Sequence, residues 1–383
     1  MANTRAARSG NGAENEPKSF GRRRLIGGTA ALSVMLLATA RPRALRAQEA
    51  GAMVEVAPGP FALSSAARAV QIRARVTPAL ASELSGLADA GLAREPHPRA
   101  VVHTQGLLPH EQDRDASVLA QEDWRQTLTQ ALAWCVTGQP AYAARAVAYL
   151  DAWVPNYSPS FNPIDEADLV DLMFGFDLVR ARLPALTVRK MQQLAGDLAA
   201  GYLGSRRVGD PSTGLNNWQS HRVKLATAGA YLSGDAALIA AAREEFAAHV
   251  TRNVATDGRT YDFDQRDALH YVVYDLEPLL LAASMAAAHG EDWCGLPALQ
   301  GRLAAALRWL EPYAAGDEQH EEFVHSTVRF DARRAAAHVA GYAGMWQREE
   351  ASNLYWIAAR LDPRFARLAN GLDAQPAVRA LFA

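Results

Sequence analysis

Apolar residues recur at three- and four-residue spacing through most of the chain, as in Leu128-Thr129-Gln130-Ala131-Leu132-Ala133-Trp134 and Ala236-Ala237-Leu238-Ile239-Ala240-Ala241-Ala242. This period turns one side of an amphipathic helix toward a core, and the abundant alanine favours the helix itself. Breakers interrupt the pattern at intervals suited to helical hairpins: Gly138-Gln139-Pro140, residues 155–163 and 209–214, Ser233-Gly234-Asp235 and Asp257-Gly258-Arg259. Helices joined by such short links pack antiparallel. Residues 321–330, Glu321 to Phe330, are β-branched and alternate with period two, which predicts a short strand or extended arm at the border of a cleft. No linker rich in Pro, Gly or Ser divides residues 48–383, so the pattern predicts one large all-α domain, a ring of helical hairpins.

Residues 1–47 read differently. The basic stretch Gly21-Arg22-Arg23-Arg24-Leu25-Ile26 leads into an apolar run to about Ala40, broken by Gly27 and Gly28. This is the pattern of a twin-arginine export signal. The run is shorter than the roughly 20 residues of a spanning helix, and small residues suited to cleavage follow at Ala38-Thr39-Ala40 and near Ala47. The expectation is export in folded form to the periplasm or beyond, with no stable membrane insertion once the signal is removed; the alternative is an uncleaved anchor. A charge balance of 39 Lys and Arg against 41 Asp and Glu argues against a nucleic-acid partner. Cys135 and Cys294 are too few for a zinc knuckle or a disulfide scaffold.

Two polar clusters stand out against this background. Asn216-Asn217-Trp218-Gln219-Ser220-His221-Arg222 and Arg266-Asp267-Ala268-Leu269-His270-Tyr271-Val272-Val273-Tyr274 gather amide, imidazole, guanidinium and phenol groups. Helical spacing puts Asn217 and His221 on one face, and Arg266, His270 and Tyr274 on another. Elimination across an acidic sugar needs a neutralised carboxylate, a base for the ring proton and an acid for the departing oxygen. Asn217 with Arg222 or Arg266 can supply the first. His221, with a reference pKa of about 6.5, is a base candidate. Tyr274 is the acid candidate, and a nearby Arg266 would favour its phenolate and let it serve as base too. Pro278 places a kink at the Tyr274 carbonyl. Asn216 is equally suited to cap the helix that begins near Trp218. His103 and His110, around Gly106-Leu107-Leu108-Pro109, and Asn162-Pro163-Ile164-Asp165-Glu166 can add substrate contacts from loops.

His320 and His325 stand five apart, which separates them on a helix and speaks against a zinc-protease pair. No Gly-rich phosphate loop or nucleophile elbow is visible, so no cofactor and no metal are expected.

At Asn216-Asn217, Leu269-His270-Tyr271 through Tyr274-Asp275-Leu276-Glu277-Pro278-Leu279, and Glu322-Phe323-Val324 leading to Phe330-Asp331, the chain resembles the alginate lyase superfamily, with Ser160-Phe161-Asn162-Pro163 as a weaker match. The resemblance implies an α/α toroid, an incomplete ring of antiparallel helical hairpins. It also implies a polysaccharide lyase that cleaves 4-linked polyuronate, polymannuronate or glucuronan, with Asn217, a nearby histidine, Arg266 and Tyr274 sharing the elimination. Asn216, Arg222, His270, Tyr271, His103 and Trp218 are the expected substrate contacts. The sequence departs from the family pattern at Trp218, where histidine directly follows the two asparagines, and at Asp267, which displaces the arginine by one residue. Two rival readings stay open: an inverting glycoside hydrolase using carboxylates among Asp262, Asp264, Asp267, Asp165 and Glu166, and a non-catalytic polysaccharide-binding protein. Oligomeric state is left open.

Overall fold

The computed structural model describes residues 59–204, 211–339 and 343–383; the expected export signal, residues 1–47, lies outside them. Helices start and stop where the sequence supplies caps. Ser65 and Thr77 accept backbone N–H groups at the starts of α1 (Ala66–Arg75) and α2 (Pro78–Gly91). The Gly138 break separates α3 (Gln112–Thr137) from α4 (Pro140–Trp153), with Gly138 at φ 75°, the left-handed conformation that a glycine adopts without steric cost. The chain continues through α5 (Leu169–Val179), α6 (Ala185–Leu203) and α7 (Asn217–Ser233). Gly234 ends α7, Asp235 caps α8 (Ala236–Asn253), and Thr260 caps the short α9 (Tyr261–Arg266). Then follow α10 (Leu269–Ala288), α11 (Arg302–Ala315), β1 (Glu321–Glu322), α12 (Arg329–Ala336), β2 (Gly344–Met345), α13 (Ser352–Leu361), α14 (Ala366–Asn370) and α15 (Pro376–Leu381).

Sequential helices pair as hairpins, α3 with α4, α6 with α7 and α7 with α8, and the ring is carried onward by α3 against α5, α7 against α10 and α10 against α13. This is the incomplete α/α toroid. Every residue from Asn217 to Leu232 of α7 is buried, because α6 and α8 cover one side and α10 the other. Close approach of α6 is possible because position 229 is glycine: a Cβ there would sit 2.3 Å from the Ala195 carbonyl oxygen. Helix α10 is long and apolar enough to cross a bilayer by length and composition, yet most of it is buried inside the fold.

Two sequence expectations change. The cluster from Arg266 to Tyr274 is not one helix. Asp267, at φ 51°, closes α9 and Ala268 is extended before α10 begins, so Arg266 belongs to a different helix from His270 and Tyr274. The predicted strand is also cut to two residues. Glu321 and Glu322 pair antiparallel with Met345 and Gly344, after which Phe323 turns at φ 65°. The following backbone is drawn to the α9–α10 link instead of to a strand partner: Phe323 N donates to the Asp267 carbonyl at 2.8 Å and Thr327 N to that of Gln265 at 2.9 Å. Cys135 and Cys294 are both free thiols.

Candidate active site

Asn216 caps α7 through its side-chain oxygen, 3.1 Å from Trp218 N. Asn217 then reaches α9, its main-chain N and its Nδ2 donating to the two Asp262 oxygens at 2.6 and 2.7 Å. One turn along α9, Arg266 lies 3.6 Å from Asp262 through Nε and donates through Nη1 to Asp331 at 2.6 Å. Its guanidinium covers the Tyr271 ring, 3.9 Å from the centroid. Arg334, one turn after Asp331 on α12, donates to the Tyr271 hydroxyl at 3.1 Å. Alternating charges thus tie α7, α9, α10 and α12 together, and all these side chains are buried. Burial raises the Asp262 pKa to about 6, with Arg266 and the two Asn217 donors holding it down.

Tyr274 stands on this platform, one turn beyond Tyr271 and half-buried. Its ring lies 4.3 Å from that of His221 and stacks at 13° and 6.5 Å with that of His270. Pro278 sits inside α10 and lacks the N–H that would serve the Tyr274 carbonyl. The His221 imidazole faces that carbonyl instead, although neither ring nitrogen makes a hydrogen bond of ordinary geometry. Burial, then Asp168, Tyr271 and Asp165, push the Tyr274 phenol well above its usual pKa, against the opposing charge of Arg334. Arg334 is a cation that acts on Tyr274, and Arg266 is held by Asp331 and over the Tyr271 face. Burial and the Lys224 ammonium drive the His221 pKa far below 6.5, leaving it a neutral imidazole.

Two further histidines are paired with carboxylates. His270 Nδ1 is 2.5 Å from Glu350 Oε2. The Glu322 carboxylate lies under the first turn of α10, accepting Leu269 N at 2.8 Å. Burial raises the Glu322 pKa to about 8, with Glu350 and Asp267 adding to the effect. His103 Nδ1 is 3.3 Å from Asp165, whose other oxygen accepts Thr104 N and Gln105 N, both at 2.7 Å. His103, His270 and Tyr274 thus supply the solvent-facing groups, whereas Asn217 is 0% and Arg266 2% exposed.

Arg222 and Trp218, expected to touch substrate, are part of the scaffold. Arg222 donates to the Thr213 carbonyl and hydroxyl at 2.9 and 2.8 Å and covers Trp218, and both residues are buried. Sequence reasoning missed Arg334 and Glu350 altogether, met Glu322 only in the expected arm and in a family match, and weighed Asp262 only as a hydrolytic acid. The i,i+4 spacing of Asp262 and Arg266 was a usable signal; nothing in the sequence pairs Arg334 with Tyr271, 63 residues away.

The carboxylates proposed for hydrolysis are otherwise committed. Asp262 and Asp165 are held as described, Glu166 accepts from Tyr157 and Tyr202, and Asp267 accepts His325 N at 3.0 Å. Asp264 is exposed near Arg259. A buried Ser220, His249 and Asp275 cluster is no hydrolase triad, since serine bridges the other two, at 2.7 Å to His249 and 2.5 Å to Asp275, where a triad requires histidine in the middle.

The alginate lyase family matches residues 76–320. The chain belongs to the alginate lyase family. It is a polysaccharide lyase acting on an acidic polysaccharide, and its fold is that of solved members. An alginate lyase from Bacteroides ovatus superposes with TM-score 0.62 at 18% identity, over 84% of this lyase and 99% of that chain. Alginate lyase A1-III from Sphingomonas species A1 gives TM-score 0.56 at 17% identity, over 83% and 93%. A tyrosine-to-phenylalanine variant of A1-III complexed with tetrasaccharide gives 0.54 at 18%, over 78% and 87%. No curated protein matches the lyase by sequence.

Proposed function

We propose that this lyase cleaves 4-linked polyuronate, polymannuronate or glucuronan, by β-elimination, leaving a 4,5-unsaturated uronate at the new non-reducing end. The carrying observation is Tyr274, a partly exposed tyrosine whose ring lies among imidazoles and whose phenol is held well above its usual pKa. At neutral pH it retains the proton that the leaving oxygen needs. Asn217, whose Nδ2 is held toward Asp262, serves the uronate carboxylate as donor. Arg266 and Arg334 hold positive charge beneath the enolate-like state, an effect worth several kcal/mol in a dry site. His103 binds the polymer at the rim.

Near-ultraviolet absorbance during incubation with polymannuronate, polyguluronate, glucuronan and hyaluronan tests this reading. The unsaturated band should grow on polymannuronate or glucuronan. Tyr274→Phe should lower kcat by about 100-fold or more, whereas Tyr271→Phe, which removes the buried hydroxyl that accepts from Arg334, should cost mainly stability. The reverse ranking would give the acid role to Tyr271. Reducing ends without the band would mean hydrolysis.

We further propose export of residues 48–383 to the periplasm through the signal in residues 1–47. Replacing Arg22, Arg23 and Arg24 with lysine should leave precursor in the cytoplasmic fraction; unchanged export would refute the twin-arginine route.

A further inference from the structure

With the Tyr274 phenol held in its protonated form, the elimination calls for a separate proton acceptor, and the two imidazoles nearest that ring differ in what a base requires. His221 is 3% exposed, and its ring nitrogens lack hydrogen bonds of ordinary geometry. A proton taken there would be held in a sealed site beside the Lys224 ammonium, which disfavours the imidazolium. The His270 side chain is 25% exposed, one turn before Tyr274 on α10. Its Nδ1 lies 2.5 Å from a Glu350 oxygen. A carboxylate at one ring nitrogen fixes the ring, places the proton on Nδ1 and leaves Nε2 as the acceptor.

The rest of the surroundings serve that geometry. Glu350 belongs to the 3₁₀ turn Arg348–Ala351, which packs against α10 and α11, so the ring is oriented from outside its own helix. Glu322 lies 3.4 Å from the His270 backbone N and anchors the turn that carries the ring. The rings beside His270 are the phenols Tyr271 and Tyr274. His103 also faces a carboxylate, but at the longer distance of 3.3 Å and with Asp165 shared among loop N–H groups, an arrangement that anchors its loop.

We infer that His270 is the general base of the elimination and Glu350 its positioning residue, a reading that rests on the lyase chemistry proposed above. His270 Nε2 takes the proton from C5 of the uronate, and the C–H electron pair becomes the C4–C5 double bond. The C4–O bond breaks with its pair on the glycosidic oxygen, which takes the Tyr274 phenolic proton. The imidazolium and the phenolate then return to their starting states as one proton passes between them through solvent. His270 and Tyr274 are four residues apart on one helical face, so both act from the same side of the sugar. That suits manno- and gluco-configured uronates, in which C5–H and C4–O lie on one face of the ring.

The test is steady-state kinetics of the full-length mature lyase on whichever polyuronate the wild type turns over fastest. His270→Ala should lower kcat by about 100-fold or more with KM changed by less than about threefold. Imidazole in the buffer should restore at least about tenfold of that loss while leaving the wild type unaffected. Glu350→Gln, at an exposed position where folding is not at risk, should lower kcat by about tenfold, with Glu350→Asp recovering part of it. A His270→Ala enzyme near wild-type rate overturns the inference. So does a loss that imidazole does not rescue, or a Glu350→Gln enzyme with unchanged kcat. Wild-type protein that forms no unsaturated product on any polyuronate removes the lyase reading and the inference with it.

Discussion

Asp262 decides how the site is built at the scale of single residues. It holds Asn217 through two hydrogen bonds and faces Arg266, so one carboxylate orients two groups on different helices. Asp262→Asn keeps the shape but removes the charge and puts an amide donor against Asn217. Breaking a buried pair in this way costs roughly 3 kcal/mol, measurable by urea denaturation. Because the rotamer of Asn217 is then released, kcat should fall about tenfold with little change in KM. A variant that loses stability but keeps kcat would show that Asn217 is purely structural. Much of this residue set was legible, since Asn217 with His221 and His270 with Tyr274 do share helical faces. What lies opposite each face was not: the partners Arg334 and Glu350 stand 63 and 80 residues away, and spacing within a helix carries no information about them.

At the scale of elements, the arm after α11 caps one helix and packs against its first turn. Glu322 closes the open N–H groups of α10, the role a side-chain cap plays at a helix start, while Phe323 packs edge-on to Tyr271. The Glu322 pKa is raised from 4.5 to about 8. The folded state therefore holds a proton that the unfolded chain releases, and between about pH 4.5 and 8 the wild type loses stability as pH rises, by at most about 1.4 kcal/mol per pH unit. Glu322→Gln cannot titrate. Its melting temperature relative to wild type should become steadily more favourable from about pH 5 to about pH 8, and a constant difference would show that Glu322 is ionised throughout. The alternating pattern of residues 321–330 predicted a strand or extended arm; the strand is realised only at Glu321–Glu322, and the segment enters α12 at Arg329. The available backbone partners belonged to the α9–α10 link.

Across the whole molecule, polar groups are buried at the centre of the toroid on α7, α8 and α10. His249, fully buried, has its pKa lowered from 6.5 to about 3 by burial and by Arg252 and Arg222. Its folded pKa is depressed, so the stability it contributes is present above about pH 6.5 and lost as pH falls toward 3. His249→Gln should start less stable at neutral pH, yet lose less on acidification across that window. Chemical denaturation at several pH values checks this, and parallel curves would refute it. The sequence by itself determined the helical class, the hairpin rhythm and the family, because periodicity, breakers and local motifs are short-range properties of a chain. Only the tertiary structure decided that α7 is covered on both sides, that Arg222 is held in the scaffold, that Arg334 bears on Tyr271 and Tyr274, and that His270 has a carboxylate behind it. Those facts depend on which distant segments the ring brings together, and burial and pairing are properties of that assembly.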